Sequence, residues 1–255
     1  METFEKRKAE TLASMNSSEP DKSPKGSIDE PIIPLLNTIN SHPSYFTTSS
    51  CSGRISILSQ PTTAKTKTKA KGGKWVFITH HKADPDSLLR LLFPPASEPT
   101  PTTSIADSSD LVLRFEPLIV AIECKDVDSA LKLVSLAISC GFRESGITSV
   151  SNKRVIIAVR CSIRLEVPLG GGGEGVLVSP EYVRYIVAIA NEKMEANWRR
   201  TDSFLKTLVS SGFGRAEVAE RGEAMDSGNQ LNLVSDGTLP NGNYVGKTVR
   251  SSQIQ

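Results

Sequence analysis

The chain has 255 residues, enough for one large domain or two small ones and for a substantial core. Its 30 basic and 28 acidic side chains leave a formal charge of +2, which excludes a histone-like or strongly acidic protein. It does not exclude a nucleic-acid partner, because local patches outweigh the total. No run of about 18 apolar residues is present, so no transmembrane helix and no membrane role are expected. The charged first residues lack the apolar centre of a secretion signal, and a cytoplasmic protein is expected.

In chain order, residues 2–14 predict a short charged helix with Phe4, Leu12 and Met15 near one face. Asp29 is placed to cap a second helix through Ile32, Leu35, Leu36 and Ile39, with Pro31 in its first turn and Pro34 less comfortable. Residues 45–49 and 54–58 predict strands separated by a small polar turn at 49–53. Residues 60–73 predict a flexible lysine- and threonine-rich loop, 74–79 a strand ending at His80-His81, and 84–93 a short helix. Residues 94–109 form a Pro/Ser/Thr insertion with nothing to bury.

A strand over 111–124 is expected to kink at Pro117. Apolar residues at helical spacing over 126–140, followed by Gly141, predict a capped helix. Residues 154–161, 163–167 and 176–178 are strand-like, with a flexible glycine turn at 170–173 before the last. Ser179-Pro180-Glu181 opens a long helix whose stripe is Val183, Ile186, Val187, Ala190 and Met194. From 213 to 255 no periodicity persists, and a disordered tail or interdomain linker is expected. Irregular mixing of helices and strands favours an α+β fold with a compact mixed β-sheet and packed helices.

Several familiar sites are absent: there is no glycine-rich nucleotide loop after a strand and no nucleophile elbow. Cys51, Cys124, Cys140 and Cys161 are widely spaced without a Cys-x-x-Cys pair, which predicts reduced thiols and no metal site. The sharpest local feature is the segment Thr47 to Arg54, whose hydroxyls, thiol and guanidinium suit an anion or carboxylate. A serine-rich turn is the alternative. Cys51 has no evident base or depressed pKa, so a half-buried thiol competes with a nucleophile. His80 shares its strand face with Val76 and Ile78 and suits an acid, a base or a surface position. Alternate lysines at 65–74 lead to Trp75, and Lys193, Arg199 and Arg200 stand beside Trp198 on the last helix; either group could hold phosphates and stack a base, or simply be solvated. A helix end hands over Arg143 and Ser145 in a compact polar turn between Gly141 and Gly146.

The order of these blocks is more specific than any one of them. Lys25 to Asp29, Thr47 to Arg54, Gly73 to Trp75 with His80, Phe115-Glu116-Pro117, Gly141 to Ile147 and Leu165 to Pro168 together resemble the wybutosine-synthesising protein 3 family over about residues 3–210. The resemblance implies a methyltransferase domain over 1–212, interrupted by flexible insertions at 60–73 and 94–109, and unlike the Rossmann-type methyltransferases. It implies S-adenosyl-L-methionine as methyl donor and phenylalanine tRNA as substrate, methylated at N-4 of a tricyclic guanosine derivative on the 3′ side of the anticodon. Other wybutosine-pathway enzymes are implied as partners.

The family's polar motif residues map to Ser27, Asp29, Ser49, Ser50, Cys51, Ser52, Arg54, Trp75, His80, Arg143 and Ser145, with Glu116 and Glu166 as candidates. Asp29 and His80 are the two candidate proton acceptors; the others bind cofactor or substrate. Some plant-type members fuse this module to kelch repeats and a second wybutosine enzyme, so this chain reads as a stand-alone paralogue or part of such a fusion. A catalytically inactive tRNA-binding or scaffolding module is the alternative function.

Overall fold

The computed structural model describes residues 3–15, 28–61, 73–95, 109–171 and 174–213. Its helices are α1 (Phe4–Met15), α2 (Ile33–Ser41), α3 (Pro85–Leu92), α4 (Val127–Ser139) and α5 (Pro180–Ser210), with a 3-10 turn at Glu30–Ile32 before α2. Its strands are β1 (Tyr45–Pro61), β2 (Lys74–Thr79), β3 (Ser109–Cys124), β4 (Gly146–Val150), β5 (Val155–Val159) and β6 (Leu165–Gly170). They form one six-stranded sheet in the order β2-β1-β3-β5-β4, with β6 also paired to β3. The fold is α+β, as expected, but every strand pairing among the described residues is antiparallel, where a mixed sheet was expected. Hairpin-like returns satisfy such a sheet without the crossover helices that parallel pairs require.

Short sequence signals account for the helices. Asp84, Asp126 and Ser179 each accept a hydrogen bond from the backbone N–H three residues on, capping α3, α4 and α5. Such a cap is worth about 1 kcal/mol. Pro34 falls in the first turn of α2 because the 3-10 turn precedes it, so no backbone bond is lost there. Gly141, at φ 93°, ends α4 and lets the Phe142 N–H reach the Ala137 carbonyl while its ring enters the core.

Two expectations change at the centre of the sheet. The predicted polar turn at 49–53 is not a turn: β1 runs from Tyr45 to Pro61 and pairs with β3 at both ends and through the middle, save at Thr48 and Ser52. The long-range partner satisfies the backbone that local composition assigned to a turn. The ladder also continues through Pro61 and Ser109, so it enters both ends of the expected insertions. β4 was not predicted; its single well-buried partner strand, β5, supplies the pairing that five weakly patterned residues do not announce. Residues 176–178 make only one isolated bridge, Val176 to Gly170.

β3 changes the positions it buries at Glu116-Pro117, where a kink was expected. Leu111, Leu113 and Phe115 enter one hydrophobic cluster, whereas Leu118, Val120, Ile122 and Cys124 enter another. The register with β1 runs unbroken through this point. Opposite Pro117 lies Gly53, at φ 102°. α5 spans both clusters: Val183, Val187, Ala190 and Met194 serve the first, Phe204 and Leu208 the second. Asn197 sits between them and is fully buried.

α1 is fastened by charge rather than by a buried face. Glu123 on β3 is fully buried, and its two oxygens accept from Arg7 of α1 at 2.7 and 2.9 Å and from the Arg154 Nε at 2.7 Å. Glu123→Ala leaves these partly exposed guanidiniums without their carboxylate and is expected to lower stability by about 1–3 kcal/mol. Urea unfolding monitored by circular dichroism measures this. The bulk of the 60–73 and 94–109 insertions, and the 213–255 tail beyond Phe213, lie outside the described residues.

Candidate functional site

The polar residues gather around Ser52 and Gly53. Asp29 occupies the residue before the 3-10 turn, yet it makes no side-chain cap there. Its Oδ2 instead accepts from the Ser52 N–H at 2.8 Å and from Ser52 Oγ at 3.0 Å. The role read from sequence, a helix cap, is therefore replaced by a tertiary one. His80 follows directly after β2, where strand alternation no longer fixes its direction. Its Nδ1 lies 3.1 Å from Asp29 Oδ2 and 3.0 Å from the Gly53 carbonyl oxygen. Both are acceptors, so the hydrogen-bond network places a proton on Nδ1 and the lone pair of the neutral ring on Nε2.

Asn197 holds this arrangement from beneath. Its Nδ2 donates to the Ser52 carbonyl and its Oδ1 accepts from the Leu118 N–H, both at 2.8 Å. One side-chain amide thus replaces a missing rung between β1 and β3. Gly53 is required at this point: a Cβ would sit 2.8 Å from Asn197 Nδ2 and 3.1 Å from the Glu116 carbonyl, at a positive φ.

Arg54 is paired within the protein through its Nε. Its Nε donates to Glu116 Oε2 at 2.6 Å, and its guanidinium lies 4.8 Å from the Trp75 ring centroid. Trp75 itself is 38% exposed on the edge strand. Burial pushes the Cys51 thiol above its ordinary value, the Asp29 and Glu116 carboxylates add to that, and the Gly53 backbone and Arg54 oppose it. This is the opposite of an activated nucleophile. Asp29, Cys51 and His80 nevertheless bring one oxygen, the sulfur and one ring nitrogen within 4.8 Å of one another.

The remaining sequence candidates divide. Ser49 is exposed and Ser50 half-buried, and both belong to the β1–β3 ladder rather than to a loop of free N–H groups. Ser145 accepts from the Arg160 N–H at 3.1 Å and so ties the turn after α4 to the end of β5; Arg143 is exposed. Neither bonds to the Asp29–Ser52–His80 group among the described residues. Glu166 pairs with Arg114 across β6 and β3 at 2.9 Å. Ser27 lies outside the described residues.

Of the α5 residues near this network, Trp198 was singled out from the sequence beside Arg199 and Arg200, whereas Asn197, Thr201 and Asp202 were missed. Trp198, Thr201, Pro31, Ile32, Ser52 and Asp202 line a cleft of about 130 Å³. Ser52 joins this cleft to the Asp29–His80 pair. Trp198 Nε1 is buried and has no hydrogen-bond partner among the described residues. A broader depression on α5, with Arg199, Ser203 and Lys206 on its walls, is made by one helix alone and holds none of the network. Asn197 did leave a signal in the sequence, since it is a polar residue three after Met194 on the buried stripe.

Comparison with known proteins agrees with this layout. The family described as Methyltransferase TYW3 matches residues 6–210. A relative from Arabidopsis thaliana, "tRNA wybutosine-synthesizing protein 2/3/4", is 59% identical over 246 residues, 94% of this chain. This chain spans only 24% of that relative's length. A relative from Pyrococcus furiosus, "tRNA(Phe) 7-((3-amino-3-carboxypropyl)-4-demethylwyosine(37)-N(4))-methyltransferase 1", is 39% identical, with 82% of this chain and 95% of the relative covered. The solved structure of the PH1069 protein from Pyrococcus horikoshii is 38% identical and superposes with a TM-score of 0.64, covering 82% of this chain and 96% of that one. With the match running through every strand and all but the start of α1, the chain belongs to the Methyltransferase TYW3 family, whose members serve wybutosine synthesis.

Proposed function

We propose that the chain transfers a methyl group from S-adenosylmethionine to N-4 of the tricyclic wybutosine precursor, on the guanosine 3′-adjacent to the anticodon of phenylalanine tRNA. It would act in the cytoplasm, alongside other enzymes of the wybutosine pathway. The printed name of the Pyrococcus furiosus relative describes an N(4)-methyltransferase of tRNA(Phe) and supports the substrate. The observation that carries the chemistry is the contact of His80 Nδ1 with the Asp29 carboxylate and the Gly53 carbonyl.

N-4 must lose a proton as it gains a methyl group. As the N-4 to carbon bond forms and the carbon–sulfur bond breaks, the N-4 proton passes to His80 Nε2. The imidazolium formed is stabilised by the Asp29 carboxylate at Nδ1. Asp29 therefore orients and His80 accepts. S-adenosylmethionine, when bound, supplies an electrophilic methyl on a sulfonium and leaves as the neutral thioether. The residues beside the network suit it: Trp198 and Ile32 offer apolar surface, Asp202 an acceptor for a hydroxyl or amine, and the buried Trp198 Nε1 an unused donor. A cleft of about 130 Å³ admits one moiety of the cofactor rather than all of it, since whole small-molecule sites run to about 300–1,000 Å³.

Trp75, braced from below by Arg54, presents an exposed ring on which an RNA base can stack. Trp75→Ala is expected to weaken tRNA binding about 10-fold, within the ~1–3 kcal/mol that one stacked base supplies. Filter binding at two salt concentrations measures this. The function itself is tested by calorimetric titration with S-adenosylhomocysteine and by mass spectrometry of phenylalanine tRNA from cells lacking the protein. Binding of the cofactor product, with accumulation of the unmethylated precursor, supports the enzyme. Salt-dependent tRNA binding without either result identifies a catalytically inactive tRNA-binding module.

A further inference from the structure

Three side chains around Ser52 and Gly53 have a second capacity that proton transfer does not use. Asp29, Cys51 and His80 come from three separate parts of the chain: the residue before the 3-10 turn, the middle of β1 and the end of β2. Each offers one ligand atom, and these atoms lie within 4.8 Å of one another. A sulfur, an imidazole nitrogen and a carboxylate oxygen form a donor set for zinc-class ions, and hard cations such as magnesium do not seek the sulfur. Three protein ligands also leave a fourth position open.

The surroundings resemble those of ligands held for a metal. The Asp29 carboxylate is oriented by two bonds from Ser52. Outer bonds of this kind fix ligating groups. The Arg54 guanidinium is already paired with Glu116, so its charge is offset.

We propose that Asp29, Cys51 and His80 form a binding site for a soft divalent cation of the zinc class, and that the bound ion blocks methyl transfer. Binding forms one bond from the metal to each ligand, and the Cys51 thiol releases its proton to solvent. A neutral imidazole has one lone pair. Whichever ring nitrogen the ion takes, the other carries the proton, and His80 no longer accepts one. The binding claim rests on the geometry alone, whereas the block rests on the reading of His80 as base given above.

The test uses the full chain, stripped with a chelator and titrated with Co2+. The expected result is a thiolate-to-cobalt charge-transfer absorption that saturates stoichiometrically and disappears on addition of Zn2+. Cys51→Ser abolishes the absorption and Cys140→Ser keeps it. His80→Gln, as a second variant, weakens cobalt binding at least ~10-fold, as the loss of one of three ligands requires. Absence of the absorption, or its persistence in Cys51→Ser, overturns the site. In the methyl-transfer assay, Zn2+ inhibits the wild-type chain at concentrations that saturate the cobalt site. Full turnover with the site filled overturns the block. If the chain transfers no methyl group under any condition, the proposed function has failed, and the cobalt spectra still decide the site.

Discussion

His80→Ala is expected to slow methyl transfer by about 10²–10⁴-fold, the range over which a positioned general base contributes. The reason lies in the direction of its two nitrogens. Nδ1 is committed to Asp29 Oδ2 at 3.1 Å and to the Gly53 carbonyl at 3.0 Å, so the proton acceptor is Nε2. Asp29→Asn is expected to reduce the rate as well, because an amide keeps the shape but not the charge that stabilises the imidazolium. Affinity for S-adenosylhomocysteine should change little in His80→Ala, since that side chain meets the moving proton. A loss confined to kcat marks a group acting in the transition state, and a matching rise in KM would mark a binding role. Single-turnover rates with precursor-bearing tRNA separate the two.

Asn197→Ala is expected to be the most damaging single change to the fold near the site. It leaves the Ser52 carbonyl and the Leu118 N–H without partners in a fully buried position. An unsatisfied buried group costs about 1–3 kcal/mol, so the pair costs about 2–6 kcal/mol. For a domain of this size, each kcal/mol lowers Tm by about 2–4 °C. Differential scanning calorimetry should show a fall within that range. Asn197→Asp should be worse than its near-identical shape suggests, because it turns an oxygen toward the Ser52 carbonyl and buries a charge. Activity should fall with either variant, since Ser52 and Gly53 carry the contacts that set Asp29 and His80.

Much of the periphery was legible locally. α4 and α5 follow from spacing and caps, β2 from its β-branched and aromatic run, and Gly141 from its place after the stripe. The centre was not, because its determinants are contacts between residues far apart in sequence. Serines and a glycine at 49–53 have the composition of a turn, and only the 16 residues of β3 make them a strand. Asp29 has the position of a helix cap and spends its carboxylate elsewhere.

The candidate site shows the same division. Family resemblance drew attention to Asp29, Ser52 and His80, which the fold does bring together. It also offered Arg143, Ser145 and Glu166, which the fold engages in other contacts or leaves at the surface. Trp198 drew notice beside Arg199 and Arg200, whereas Asn197 and Thr201 carried no motif. Asn197 alone had a physical signal, a polar side chain on an otherwise apolar helical stripe.

The most direct test of proton acceptance by His80 in a methyl transfer is a mass-spectrometric assay of the product nucleoside. The wild-type chain and His80→Ala are each incubated with S-adenosylmethionine and phenylalanine tRNA bearing the tricyclic precursor. The wild-type chain should convert the precursor to its N-4-methylated form, and His80→Ala should leave it almost unchanged while still binding S-adenosylhomocysteine. Equal conversion by both chains would contradict the role of His80, and no conversion by the wild-type chain would contradict the methyl transfer itself.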